Sequence, residues 1–482
     1  MKIAWVFATV TIVACSKSPA PAPTPPVPMP ASVVAVMSLP SIDATLPGVA
    51  AWVDAIDPGA GTTMRDELDA ELRPRAIDGT RSLHLVFVAP PLGDDEPDLV
   101  LVAATRDAAA TSRKLDDEHV ARTANGWAVI GEPAVVDLAF AWATTVLVSA
   151  PAPTRAKATF YPAAIRARWG AEVKARLESS GSPVESMARD FIVGLIDDTE
   201  RVDAFADIEA GDVIAEIAIA PRAGSTFAAV LASQRPSTFT LLERLPLTSP
   251  SGTMAGHVEL GPLARPVHDL VTSLIRAHVV ESEEVTRHLL GVIDVIGTHA
   301  TGEYAGMTII SDKAAINTLE LRGAARLGAS LELLVEAVLA IPMPVGLRVD
   351  VVRMGPHGGV GVTVATMYFG EAAVASASWA TWDETLAFAM TDPDGALTRA
   401  AIEGSRVPPK VPGNMARALA DARARGDSLI ATFDVLPDGQ QPLVLAFGVR
   451  DGAAYLWTRL PAAQIAGMAA MDDDSSEGWS SE

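Results

Sequence analysis

The chain has 482 residues, 49% of them hydrophobic but only 5% aromatic, and a formal charge of −22 at pH 7. That length accommodates two or three domains around aliphatic cores, and so negative a surface argues against nucleic acid as a partner. With a single cysteine, Cys15, no disulfide forms within one chain, and core burial has to stabilise the body.

Met1-Lys2 is followed by an apolar run from Ile3 to Ala14 that ends at Cys15. A positive charge, an apolar stretch and small residues in that order form an export signal. A dozen residues at 1.5 Å each span about 18 Å, short of a hydrocarbon core of roughly 30 Å, which disfavours a transmembrane anchor. Ile12-Val13-Ala14-Cys15 resembles the lipobox of bacterial lipoproteins. The resemblance implies cleavage after residue 14, a diacylated Cys15 sulfur and an acylated new amino group. Ser16, standing where enterobacterial lipoproteins retained at the inner membrane carry Asp, implies the outer membrane. An ordinary cleavable signal stays open, because Val13 and Ala14 are small.

From Ser16 to Pro30 come Pro19, Pro21, Pro23, Pro25, Pro26, Pro28 and Pro30. Each fixes φ and removes a donor, so residues 15–31 read as an extended tether reaching up to roughly 45 Å at about 3.1 Å per residue. Several acyl chains, at about 0.8 kcal/mol per buried CH₂, make such an anchor long-lived.

The body alternates strands and helices. Val33 to Leu39 is a β-branched run ended by Pro40, and Pro47 starts a helix with Val49, Trp52, Val53 and Ile56 on one face. Leu83 to Ala89 and Leu99 to Ala104 flank a turn at 93–97. Thr159 and Phe160 precede a helix from Pro162 with Ile165, Trp169, Val173 and Leu177 every four residues. Val258 to Leu260 precede Pro262 and a stripe of Val267, Leu270, Val271 and Leu274. Leu347 to Met354 meets Val360 to Met367 across a glycine-rich turn, and Asp451-Gly452 joins Leu443–Val449 to Ala453–Trp457 as a two-residue hairpin. The thrice-repeated order of strand, proline and helix predicts an α+β fold: two similar lobes of largely antiparallel sheet with packed helices, over 32–220 and 221–460, related by internal duplication. An acidic tail, 461–482, is expected to stay unfolded. The Asn125-Gly126-Trp127-Ala128-Val129-Ile130-Gly131 strand and the Leu242-Glu243-Arg244-Leu245-Pro246 junction before the Met254 to Leu260 strand resemble uncharacterised exported bacterial proteins of duplicated strand and helix architecture, which implies architecture alone.

Residue chemistry points away from known catalytic motifs. His268, His278 and His288 are ten apart, which on one helix separates neighbours by roughly 80° and does not converge on a metal. Glu284 and His288 have i, i+4 spacing, that of a surface pair as much as a ligand pair. Asp94, Asp95, Glu96 and Asp98, and the stretch Asp197, Asp198, Glu200, Asp203, Asp207, Glu209 and Asp212, lack the spacing of calcium loops. Gly355, Gly358, Gly359 and Gly361 join two β-patterned runs, so they form a turn and not a nucleotide loop. No GxSxG, SxxK-type or GxxxxGK[ST] motif occurs. Against the acidic whole, the Pro162 helix carries Arg166, Arg168, Lys174 and Arg176, a basic outer face that could lie on anionic headgroups.

These readings predict no cofactor, metal or catalytic residue, with Cys15 as the modified position. They describe a membrane-anchored envelope protein with a non-enzymatic binding or scaffolding role. An envelope hydrolase whose site forms only in three dimensions, and a carrier for an apolar ligand, are the alternatives.

Overall fold

The computed structural model describes residues 27–72, 75–89, 96–112, 115, 118–178, 193–247, 251–257, 259, 269, 272, 283–309, 313–321, 324–341, 345–434 and 441–467. Cys15, the lipobox, most of the tether, Asp94, Asp95, His268, His278 and the 262–274 stripe lie outside them, apart from Asp269 and Thr272.

Helices and a large antiparallel sheet make this an α+β fold. The chain begins β1 (Val33–Leu39), α1 (Ile42–Ile56), α2 (Ala60–Leu72), β2 (Leu83–Val88), β3 (Asp98–Ala104), α3 (Ala108–Ser112), β4 (Val120–Ala124), β5 (Trp127–Gly131) and α4 (Pro133–Thr145). It continues β6 (Ala156–Phe160), α5 (Pro162–Glu178), β7 (Thr199–Glu209), β8 (Asp212–Pro221), and the short helices α6 (Thr226–Ser233) and α7 (Thr240–Glu243). Then come β9 (Ser251–His257), α8 (Glu283–His299), β10 (Ala300–Ile309), β11 (Ala314–Leu321) and α9 (Ala324–Leu339). A meander follows, β12 (Leu347–His357), β13 (Val360–Phe369), β14 (Ala372–Trp382) and β15 (Thr385–Met390), and the chain closes with α10 (Ala396–Arg406), α11 (Gly413–Arg425), β16 (Asp427–Asp434), β17 (Leu443–Arg450) and β18 (Ala453–Pro461).

All 18 strands join one sheet. The registers run from β8 through β7, β6, β1, β2, β3 and β5 to β4. From β18 they run through β17, β16, β9, β10, β11 and β15 to β14, then on to β13 and β12. β8 pairs with β18 in the middle. The two wings therefore follow the same order up to β4 and β14, and only the second extends two strands further.

Each wing buries its own core. Under α4, Val135, Val136 and Trp142 meet Val36, Val86, Val100, Val102, Trp127 and Val129. On the opposite face, Leu83, Leu101 and Ala103 meet Ile42 and Leu46 of α1. In the second wing Leu241, Leu242, Ala401, Leu419 and Ala422 cover Ala255, Ala305, Ile316, Ala387, Ile430 and Val444. Each fully buried Leu or Ile contributes about 1.5–3 kcal/mol. Two buried polar clusters are satisfied internally. Asp392 accepts from Ser378 Oγ at 2.5 Å and from the Leu397 and Thr398 N–H groups at the start of α10. Asp427 accepts from Arg425 at 2.6 Å and from Tyr455 at 2.5 Å.

Three sequence expectations shift. α1 starts at Ile42, ahead of Pro47, because Ser41 Oγ accepts the Ala44 N–H at 3.0 Å and caps it, leaving Pro47 inside the helix. The strand expected at Met254–Leu260 is found from Ser251 to His257, starting three residues earlier, with Val258 and Leu260 outside the described residues. Order runs past 461, where Gln464 is fully buried and donates to Asp434 at 3.2 Å; residues 468–482 lie outside the described residues. The three expected hairpins form, and Asp451 and Gly452 both take positive φ, 52° and 76°, as a two-residue turn of primed type requires.

Candidate functional site: a groove on the extended wing

α9 has two working faces. Leu327, Leu331 and Leu334 pack with Val292 and Val295 of α8 and Leu386 of β15. Glu332, Val335, Glu336 and Leu339, at i, i+3, i+4 and i+7, form another stripe. That stripe faces Val351 and Arg353 of β12, Thr363 of β13 and Trp379 of β14 across an open groove of about 390 Å³. The sheet side is set by register, since Arg353, Thr363 and Trp379 sit opposite one another on three successive strands. α9 can lie close over β14 because residue 328 is glycine; a Cβ there would come within 2.9 Å of Thr381 Oγ1.

The floor is apolar, with Trp379 only 6% exposed, and the rim is charged. Arg353 Nη2 lies 3.3 Å from Glu332 Oε2, an exposed pair contributing under about 1 kcal/mol. Among the described residues no basic side chain pairs with Glu336. Leu339, on the helix side of the groove, is 41% exposed. With Val335 and Val351 it leaves apolar surface open to water in one place, the mark of an interaction surface. The arrangement can bind an apolar side chain or short alkyl segment and steer a neighbouring cation; it places no nucleophile beside a base.

The residues singled out in the sequence lie elsewhere. Glu284 and His288 sit on α8, and among the described residues no group of three His, Cys, Asp or Glu is placed to hold a metal. Most of the acidic stretch is dispersed along β7 and β8, with Asp197 and Asp198 ending the helical segment before β7. Asp203 accepts from Thr159 at 2.6 Å, between Lys157 and Arg201; burial pushes its carboxyl up, but these partners outweigh it and hold it below its ordinary value. Gly358 and Gly359, at φ 57° and 84°, form the β12–β13 turn. On the basic helix, Arg166 is turned inward, donating to the Ile196 carbonyl at 2.5 Å and lying 3.6 Å from Asp197, and Arg168 sits over the Trp169 ring. Ile165, Trp169, Val193 and Ile196 line a second open groove there of about 320 Å³.

The pair nearest to nucleophile-and-base geometry is Ser38 with His84. Ser38 Oγ and His84 Nδ1 are 2.8 Å apart across β1 and β2. Burial pushes His84 down to about 4, and its Nε2 is buried with no hydrogen-bond partner among the described residues. The imidazole is therefore neutral at pH 7, and no carboxylate orients it as a triad would require.

Sequence reasoning missed the whole groove. The 332/335/336/339 spacing was readable, but its sheet-side residues are brought together only by the meander's register.

No protein-family model and no curated protein matches this chain. Among solved structures, one described as crystal form IV of TP0453 is 10% identical, with a TM-score of 0.25, and aligns over 50% of this chain and 99% of that one.

Proposed function

We propose that this is a lipid-anchored protein of the cell envelope, held at the outer membrane by acyl chains on Cys15, with a non-enzymatic binding role carried by the groove between α9 and the β12–β14 meander. One observation carries the binding role. Leu339 remains 41% exposed at a groove that Val335, Val351 and the buried Trp379 also line. We further read the chain as an internal duplication of two lobes, supported by the matching strand orders outward from β8 and β18. On that reading β12 and β13 are what the second lobe adds, and the five-residue α3 stands where the second lobe has the 16-residue α9, so most of the groove comes from what the first lobe lacks.

The test is photo-crosslinking in intact cells from a reactive residue at position 335 or 339, which line the groove, with position 138, exposed on α4, as control. A discrete adduct from 335 and 339 but not from 138 is expected. Equal labelling from all three, or none, would overturn the binding role. Retention of lipid by the purified protein, abolished by Leu339→Asp, would favour the apolar-ligand carrier. Among the described residues Ser38 and His84 are the pair a hydrolase would use first: loss of model-ester hydrolysis on Ser38→Ala would favour the hydrolase alternative, and hydrolysis unchanged by it would exclude this pair.

A further inference from the structure

On the footing that the groove is the binding site, we infer that its occupant is an extended segment of a partner protein, added as a strand to the free edge of β12, with an apolar residue and a lysine or arginine two positions apart on the side facing α9.

Three observations lead there. First, β12 ends the sheet: among the described residues it pairs on one side only, with β13, along Leu347 to His357. Alternate residues of such an edge direct N–H and C=O groups outward, where another chain can satisfy them. Second, the faces of β12 differ. Arg348, Asp350 and Val352 share one face, where Arg348 is occupied by Asp350 at 3.1 Å and by the Tyr368 ring. Val349, Val351 and Arg353 share the other, and Val351 and Arg353 line the groove. A strand laid along β12 thus presents every second side chain to the groove. Third, the groove selects chemistry. Val335, Leu339, Val351 and Trp379 offer apolar contact, whereas Glu332 is satisfied by Arg353 and Glu336 is left for a cation from outside. Residues of one face are two apart along a strand, so an apolar group and a cation at that spacing meet both.

A second copy of β12 is the other occupant to weigh. Antiparallel self-pairing centred on Asp350 sets two aspartates face to face, but centred on Val349 it sets Arg348 against Asp350 without conflict. In that register the copy brings Leu347 and Val345 beside Val351 and Arg353, so it offers Glu336 no cation, which a partner supplying its own lysine or arginine does.

The probe is a labelled peptide, Thr-Val-Thr-Lys-Thr-Val-Thr-Thr, titrated by fluorescence anisotropy against the full-length protein in detergent. Compared with it are the same peptide with Glu for Lys, and one with N-methyl groups on alternate backbone nitrogens. Binding is expected for the first, weaker by about three- to fivefold for Glu336→Gln, and unchanged for the exposed control Glu209→Gln. The Glu peptide should bind more weakly still, and the methylated peptide should lose binding in the phase whose N–H groups face β12. Equal binding of all peptides, no binding at millimolar peptide, or insensitivity to Glu336→Gln would overturn the inference. If it falls while position 339 still crosslinks a partner in cells, the strand chemistry is wrong and the groove stands; if both fail, the site itself is wrong.

Discussion

His84 should make this fold acid-sensitive in a way that a single substitution removes. It is 5% exposed, hydrogen-bonded through Nδ1 to Ser38, and lies near the Trp127 ring, with no acceptor on Nε2 among the described residues. Burial lowers its pKa from 6.5 to about 4. The unfolded chain therefore takes up a proton between those values that the folded chain refuses, so stability is complete above pH 6.5 and is lost as pH falls toward 4. At 1.36 kcal/mol per unit the loss amounts to about 3 kcal/mol, a large share of a typical total stability. The assay is urea unfolding followed by tryptophan fluorescence from pH 8 to pH 4, on wild type and His84→Phe. Carboxylates titrate in both proteins and cancel in the difference. The wild type should lose about 3 kcal/mol more than the variant over that range. Parallel curves would refute the buried neutral imidazole.

Other outcomes follow from the same packing. Asp427→Asn leaves the Arg425 guanidinium, stacked 3.8 Å over the Trp457 ring, without its carboxylate, and should lower stability by about 3–5 kcal/mol, whereas Tyr455→Phe, removing the hydroxyl shared between Asp427 and the Arg425 carbonyl, should cost about 1–2 kcal/mol; paired thermal melts separate them. At Gly404 a Cβ would lie 1.9 Å from the Arg244 carbonyl oxygen, so Gly404→Ala should destabilise by about 1–3 kcal/mol or prevent folding. Gly291→Ala on α8, with nothing within 4 Å of the new Cβ, should be neutral or gain up to about 1 kcal/mol, read in the same denaturation assay. Glu332→Gln, breaking an exposed pair, should shift the melting temperature little while weakening crosslinking from position 339.

Local chemistry made much of the fold legible in the sequence. Asp451-Gly452 carries the positive φ of a tight hairpin, and short-range alternation located the strands it joins; Asn125-Gly126, taken as the start of the Trp127 strand, proves to be the turn of another hairpin. β9 starts three residues earlier than the Met254 start expected, because Gly252 and Gly256 weaken its strand signal. The structure gives the reason for the second glycine, since a Cβ at 256 would lie 2.5 Å from the Ser428 carbonyl of the neighbouring strand. Long-range pairing was not legible. Nothing in the residues of β8 names β18 as its neighbour, some 240 residues on, yet that contact sets the order of both wings. The groove was hidden for the same reason. Glu332 and Leu339 read as ordinary helix surface until the register of β12–β14 sets Arg353, Thr363 and Trp379 beneath them.

Fractionation of cells expressing wild type and Cys15→Ser, with mass spectrometry of the N-terminal peptide, tests the anchored-protein account most directly. The account predicts wild type in the membrane pellet, its mature chain beginning at an acylated Cys15, and Cys15→Ser released to the soluble fraction. A free thiol at Cys15, or sedimentation unchanged by the substitution, would contradict it.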